Sequence, residues 1–302
     1  MLLSHMLILS LVCVTINGRV HRTFTCSRNP DVTTTNPTTK AETKTMTDGT
    51  STTGQAKITP NNDNGKCSNK GIVNGRLPNC TAIYIAGCQK SGIYNITPNT
   101  WAEGPFEAYC DMKKLNVQNR TLCNGRGWTV FQRRVNGSVD FNRNWTSYKE
   151  GFGQLNHEFW LGNEKLHNLT QPGKYRLRID LVGSNGTRYH ACYKKFHIKE
   201  EGVMYELHAS GFRGNNSLSD GLSDQNGKAF STSDRDNTNS TNICADIIQG
   251  GWWHEACDGD YTNLNGVYGS NQDSTSIYWN GLPNGESIIS SEMKIRYCIG
   301  CS

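Results

Sequence analysis

The stretch Asp234-Arg-Asp236-Asn-Thr238-Asn-Ser240, continued by Cys244, Gly250-Gly-Trp252-Trp253, Cys257 and Asn263-Leu-Asn-Gly266, organises the reading of this chain. Two carboxylates one residue apart, followed by small polar residues, can turn a loop so that side-chain and backbone oxygens converge. That is the chemistry of a hard cation, and outside the cell the ion it points to is Ca2+. Cys244 and Cys257 stand thirteen positions apart and can close the next loop around the tryptophan pair. A closed aromatic loop beside a cation has the character of a recognition site.

Working outward, the compartment follows from the ends and the cysteines. Leu7-Ile-Leu-Ser-Leu-Val-Cys13-Val is an apolar run too short to span a bilayer, and it reads as the core of a signal peptide over residues 1–18. The expected location is therefore secreted and extracellular, without membrane insertion. Loss of Cys13 with that segment reduces twelve cysteines to eleven: 26, 67, 80, 88, 110, 123, 192, 244, 257, 298 and 301. In an oxidising compartment these are disulfide candidates first. Nine Asn-x-Ser/Thr sequons, at Asn79, Asn95, Asn119, Asn136, Asn144, Asn168, Asn185, Asn215 and Asn239, predict a glycosylated surface. The net charge of +5 comes with no long basic run and gives no reason to expect nucleic acid as a partner.

Residues 19–78 hold the Thr-, Asn-, Lys- and Pro-rich run from Asn29 to Asn64, which has almost no large apolar side chain. Such a segment cannot bury enough surface to offset its ordering entropy and reads as a disordered stalk. It carries neither a Gly-X-Y period nor a heptad. Cys26 and Cys67 flank it and are candidates for interchain bonds.

Order is expected from Asn79 to the C-terminus. Ala82-Ile-Tyr-Ile-Ala86 fits a short helix or a strand. Strand patterns lie at Gly92–Pro98, Phe106–Asp111, Gly127–Arg134, Phe159–Leu161, Tyr175–Leu181 and Tyr205–Ala209. Helical signals are confined to Thr146–Glu150 and Asn163–Leu169. Strands with few helices, broken by many Gly and Asn, predict a loop-rich α+β domain.

These residues resemble a known family. Cys110-Asp-Met, Gly127-Trp-Thr-Val-Phe-Gln-Arg-Arg134, Gly137-Ser-Val-Asp-Phe141, Tyr148-x-x-Gly-Phe-Gly153, Glu158-Phe-Trp-Leu-Gly162, Leu177-Arg-Ile-Asp-Leu181, Phe230-Ser-Thr-x-Asp-x-Asp236, Leu264-Asn-Gly266 and Glu292-Met-Lys-Ile-Arg296 look like the fibrinogen C-terminal domain over residues 79–302, with ficolins and tachylectin-5 lectins similar in character. The resemblance implies an N-terminal subdomain, a central antiparallel sheet and a loop-rich C-terminal subdomain carrying calcium and ligand. It implies disulfides Cys80–Cys110 and Cys244–Cys257, with Cys88 and Cys123 left to pair with each other, and it assigns no partner to Cys192, Cys298 or Cys301. Its calcium ligands map to the carboxylates of Asp234 and Asp236 and the carbonyls of Thr238 and Ser240.

The acetyl pocket of the lectin relatives maps less well. Its aromatic and histidine positions read Ile248, Asp258 and Asp273 here, while Trp253 and the backbone at Ala256-Cys257 remain as candidate ligand contacts. Asp258, Asp260 and Asp273 would make such a pocket acidic and favour an amine-bearing ligand. The function implied is calcium-dependent recognition of glycans or acetylated groups on cell surfaces, plausible in innate defence. The alternative is a protein-binding ligand or matrix component, with a protein receptor and a vestigial pocket. Catalysis is not expected: there is no Gly-x-Ser-x-Gly elbow and no His-Glu-x-x-His motif, and Cys298-x-x-Cys301 reads as structural. An odd cysteine count predicts a disulfide-linked homo-oligomer. A non-reducing gel of the secreted protein should show a covalent dimer or larger, whereas a clean monomer with one free thiol contradicts it.

Overall fold

The structure, a computed structural model, describes residues 76–114, 124–171, 173–257, 259, 261–269 and 275–301. The signal peptide, almost all of the stalk, Cys26, Cys67, Asn119, Cys123, Asp258, Asp260 and Asp273 lie outside the described residues.

Within them, the short segment left open between helix and strand is α1 (Cys80–Ile85). Asn79 settles the choice. Its Oδ1 accepts the Ala82 N–H at 3.0 Å as an N-cap, and its Nδ2 donates to Tyr175 Oη at 2.9 Å. Asn79 is only 5% exposed, so this sequon is a helix cap rather than part of a glycosylated surface. The Cys80–Cys110 disulfide ties α1 to the sheet.

The sheet has nine strands: β1 (Gly92–Ile96), β2 (Phe106–Asp111), β3 (Trp128–Arg134), β4 (Phe152–Gly153), β5 (Phe159–Trp160), β6 (Tyr175–Gly183), β7 (Arg188–Ile198), β8 (Leu207–Gly214) and β9 (Ile288–Tyr297). All strand pairs are antiparallel, and the order is β1-β2-β3-β9-β6-β7-β8, with β4 and β5 beside β3. The last strand thus sits in the middle, between β3 and β6. Three helices, α2 (Trp145–Glu150), α3 (Asn163–Thr170) and α4 (Cys244–Ile247), complete the α+β domain. Leu177, Ile179 and Leu181 of β6 and Met293 and Ile295 of β9 share one sheet face and are buried. Phe131 and Phe196 stack in the same core, with ring centroids 5.8 Å apart.

Strand β7 does not read as a strand from the sequence. Tyr189, Ala191 and Tyr193 are buried at odd positions, with Cys192 buried between the last two, and then Phe196 and Ile198 at even ones, because the alternation changes phase at the exposed pair Lys194-Lys195. A single period of two never appears. Trp128, Val130 and Phe131 are all buried on β3, so that strand has two covered faces rather than one.

The turn after β3 is built on one carboxylate. Glu158, completely buried, accepts the N–H groups of Val135, Asn136 and Gly137 at Oε1 (2.7, 3.0 and 2.9 Å) and that of Val139 at Oε2 (2.9 Å). Burial opposes its charge, but the N–H groups of Val135, Gly137, Val139 and Asn136 outweigh it and bring its pKa down to about 2. The charged form therefore stabilises the fold above the ordinary carboxylate range, and that contribution is lost as pH falls from about 4.5 to about 2. Glu158→Gln should cost about 3 kcal/mol at pH 7 in urea unfolding. The gap to wild type should narrow as pH drops toward 2. An unchanged midpoint at pH 7 contradicts this role.

Candidate functional site

The loop that begins at Asp234 is fastened to the body at both ends. Ser231 and Trp252 exchange backbone hydrogen bonds at 2.9 and 3.1 Å, and Thr232 and Arg235 close a tight turn. Asp234 Oδ1 accepts the Trp145 N–H, at the start of α2, at 2.8 Å and the Thr232 hydroxyl at 2.7 Å. Arg235 is held with its guanidinium 4.0 Å above the Trp145 ring. Asp236 turns back on its own loop, accepting Thr238 N–H and Oγ1–H at 3.3 and 3.0 Å.

The Cys244–Cys257 disulfide backs this loop. Thr238 Oγ1 lies 3.6 Å from Cys244 Sγ, and Ser240 Oγ lies 3.3 Å from Cys257 Sγ. Asp234 is exposed, while Asp236, Thr238 and Ser240 are half-buried. Among the described residues no group of three or more His, Cys, Asp and Glu side chains is arranged to hold a metal ion by itself. A cation here must therefore take backbone oxygens as well as the two carboxylates. That donor set, all oxygen and in a loop with one exposed carboxylate, suits a hard ion such as calcium.

The floor of the disulfide loop is set by the sheet. Gln132 Nε2 donates to Leu264 O at 2.9 Å, and Arg134 Nη1 donates to Gly266 O at 2.8 Å. The Leu264–Gly266 segment in turn holds the loop: Asn265 Nδ2 donates to Gly251 O at 2.9 Å, and Asn263 Nδ2 to Gln249 O at 2.8 Å. Gly250 adopts φ +85° with the Asn265 carbonyl 2.4 Å from where a Cβ would stand, so no other residue fits there. His254 is 2% exposed and donates from Nε2 to Gly250 O at 3.0 Å. Burial pushes it down to about 4, so it is neutral, with its proton on Nε2.

The aromatic pair does not face a ligand. Trp252 and Trp253 are both completely buried, with indole N–H groups donating to Gln225 Oε1 at 3.0 Å and Tyr205 O at 2.8 Å. Trp253 packs its ring against Phe230, Trp252 and Trp160 at centroid distances of 5.2, 5.2 and 6.1 Å. The expectation that Trp253 lies near ligand is corrected: the side chain belongs to the core because that cluster and its hydrogen bond enclose it. Ile248 is likewise 7% exposed and offers no open wall. Ala256 and Cys257 are half-buried, and Asp258 lies outside the described residues.

What does face outward is a polar surface that includes two large aliphatic side chains. Ile243 and Ile247, flanking Cys244 on α4, are each 44% exposed. Sequence reasoning overlooked them, although their four-residue spacing around a buried cysteine was the signal. The structure also bonds Cys298 to Cys301, and Cys88 and Cys192 are disulfide-bonded as well.

The comparisons agree with this architecture. The family model for the fibrinogen beta and gamma chains, C-terminal globular domain, matches residues 77–298. Rat tenascin-R is 38% identical over 218 residues, covering 72% of this chain and 15% of that protein. Rat angiopoietin-2 is 39% identical over 225 residues, covering 72% and 42%. The chain thus spans less than half the length of either relative. Among solved structures, the fibrinogen-like globe domain of human ANGPTL2 superposes with TM-score 0.64 at 33% identity, covering 72% of this chain and 98% of that one. Lamprey fibrin D-dimer, solved with the peptide Gly-His-Arg-Pro-amide, does so with TM-score 0.61 at 33% identity, covering 74% and 75%. This chain belongs to the fibrinogen C-terminal domain family.

Trp253→Ala should lower stability by about 3–5 kcal/mol, measured by urea unfolding, as expected for a large core cavity. A variant of unchanged stability would return Trp253 to the surface.

Proposed function

We propose that this chain is a secreted, non-catalytic recognition protein whose partner is a protein or peptide, bound at the Asp234–Cys257 loop. The observation that carries this reading is the outward face of that loop: exposed Ile243 and Ile247, with Trp252, Trp253 and Ile248 withdrawn into the core. An acetyl group needs an apolar wall inside a pocket, whereas an exposed aliphatic pair suits a protein surface. The same family fold in lamprey fibrin is known with a peptide ligand, which supports the reading. Secretion is supported by the disulfides Cys80–Cys110, Cys244–Cys257 and Cys298–Cys301 and by the apolar start of the chain. No helix among the described residues is long and apolar enough to cross a membrane.

Calcium belongs to this reading as the ordering ion of the loop. Asp234, Asp236 and the carbonyls of Thr238 and Ser240 would hold it, supplying a fixed local charge beside the Cys244–Cys257 bridge. The chain's own residues set the loop's position: Asp234 binds the Trp145 N–H, and the disulfide keeps α4 next to the ion's ligands.

The test is binding of labelled protein to cultured cells. Protease treatment of the cells should abolish binding, and glycosidase treatment should leave it intact. The double variant I243D/I247D should weaken binding at least tenfold without changing the melting temperature. Calcium-dependent binding that N-acetylglucosamine competes away, unaffected by the double variant, would overturn this reading in favour of a lectin.

A further inference from the structure

The sheet face opposite the main core carries a cluster of charged side chains, remote in sequence from the Asp234–Cys257 loop. Antiparallel register places Arg178 beside Lys294 and Asp180 beside both Glu292 and His190, all on that face. They line a hollow of about 690 Å3, within the range of small-ligand pockets.

Its floor is a closed ionic network. The Lys294 ammonium, 3% exposed, lies 2.7 Å from Asp111 Oδ2, 2.8 Å from Asp180 Oδ2 and 2.9 Å from Glu292 Oε1. Arg133 meets Glu292 Oε2 at 2.8 Å from the far side. Arg178 binds Asp180 Oδ1 through Nε and Nη2 at 2.8 and 2.6 Å. Three cations, Arg133, Arg178 and Lys294, balance three carboxylates, so the floor itself is neutral.

One donor is left over. Arg178 is 5% exposed, yet its Nη1 has no hydrogen-bond partner. A buried guanidinium N–H without an acceptor is costly, and a ligand oxyanion would satisfy it. The rim adds charge of the same sign: Lys113 and Arg188 line the hollow and form no ion pair among the described residues. Burial, then the Arg178 charge, pushes His190 down, so it remains a neutral polar group at pH 7. With Ser290 it supplies hydroxyl and imidazole groups suited to ring hydroxyls.

We propose that this hollow binds the oxyanion of an acidic saccharide, a carboxylate or a sulfate, with Arg178 Nη1 as its central donor and Lys113 and Arg188 steering it in. The hollow runs from β2 to β7 across four strand spacings, about 19 Å, which is room for more than a lone anion.

The experiment is calorimetric titration of the full chain with a sulfated, uronate-containing disaccharide, with its desulfated counterpart, and with an oligoglutamate peptide. Saturable saccharide binding is expected, persisting in EDTA and weakened at least tenfold in K113E/R188E, whose exposed rim positions leave the floor intact. Arg178→Lys should weaken it further while keeping a charge over Asp180. Loss of binding on desulfation assigns the sulfate, and persistence assigns the carboxylate. The proposal is overturned if neither saccharide binds saturably, if K113E/R188E binds as tightly as wild type, or if the peptide binds as tightly as the saccharides.

Discussion

Three buried polar side chains at one end of the sheet determine where the loops of this protein can go. Gln132 and Arg134 leave β3 to hold the carbonyls of Leu264 and Gly266, and Glu158 gathers the N–H groups of the turn that follows β3. Loops rich in Gly and Asn bury little apolar surface, so packing alone would leave them mobile. Here they are fixed by side chains whose own positions belong to a close-packed sheet. Each such group is completely or almost completely buried, which makes its hydrogen bonds strong and their loss expensive. Arg134 adds an aromatic contact, its guanidinium 3.9 Å above the Phe141 ring.

That arrangement separates rigidity from recognition. The aromatic residues of the disulfide loop face inward, where Trp252 and Trp253 join Phe230 and Trp160, and they give the loop a solid base. The outward surface is left to short aliphatic and polar residues. Asp234 links the two parts, since its carboxylate accepts both the Trp145 N–H at the approach to α2 and the Thr232 hydroxyl within the turn. A cation bound there would tighten the same contacts that place Ile243 and Ile247, and so couple ion binding to the shape of the recognition surface.

Much of the sheet could be read from the residues because β2, β3, β6 and β8 have apolar alternation or motifs of their own. β7 could not, since its inside–outside phase changes at Lys194-Lys195 and defeats a simple period. Asn79 shows a different limit: its side chain is equally a sequon and a helix cap, and only its partner Tyr175, 96 positions away, decides between them. At the site, the Cys244–Cys257 closure was legible because the two cysteines lie close together in the chain. The fate of Trp253 was not, because an indole between two cysteines looks the same in sequence whether it faces water or Phe230. The charged floor around Lys294 was invisible for the same reason, being assembled from β2, β6 and β9.

The proposed calcium would order a loop that rests on a rigid aromatic base. Hydrogen exchange of the intact protein, followed by mass spectrometry with and without calcium, tests it most directly. Exchange across residues 234–257 should slow when calcium is added, with β6 and β9 unchanged and slow in both conditions. Equal exchange of that loop with and without calcium would contradict it.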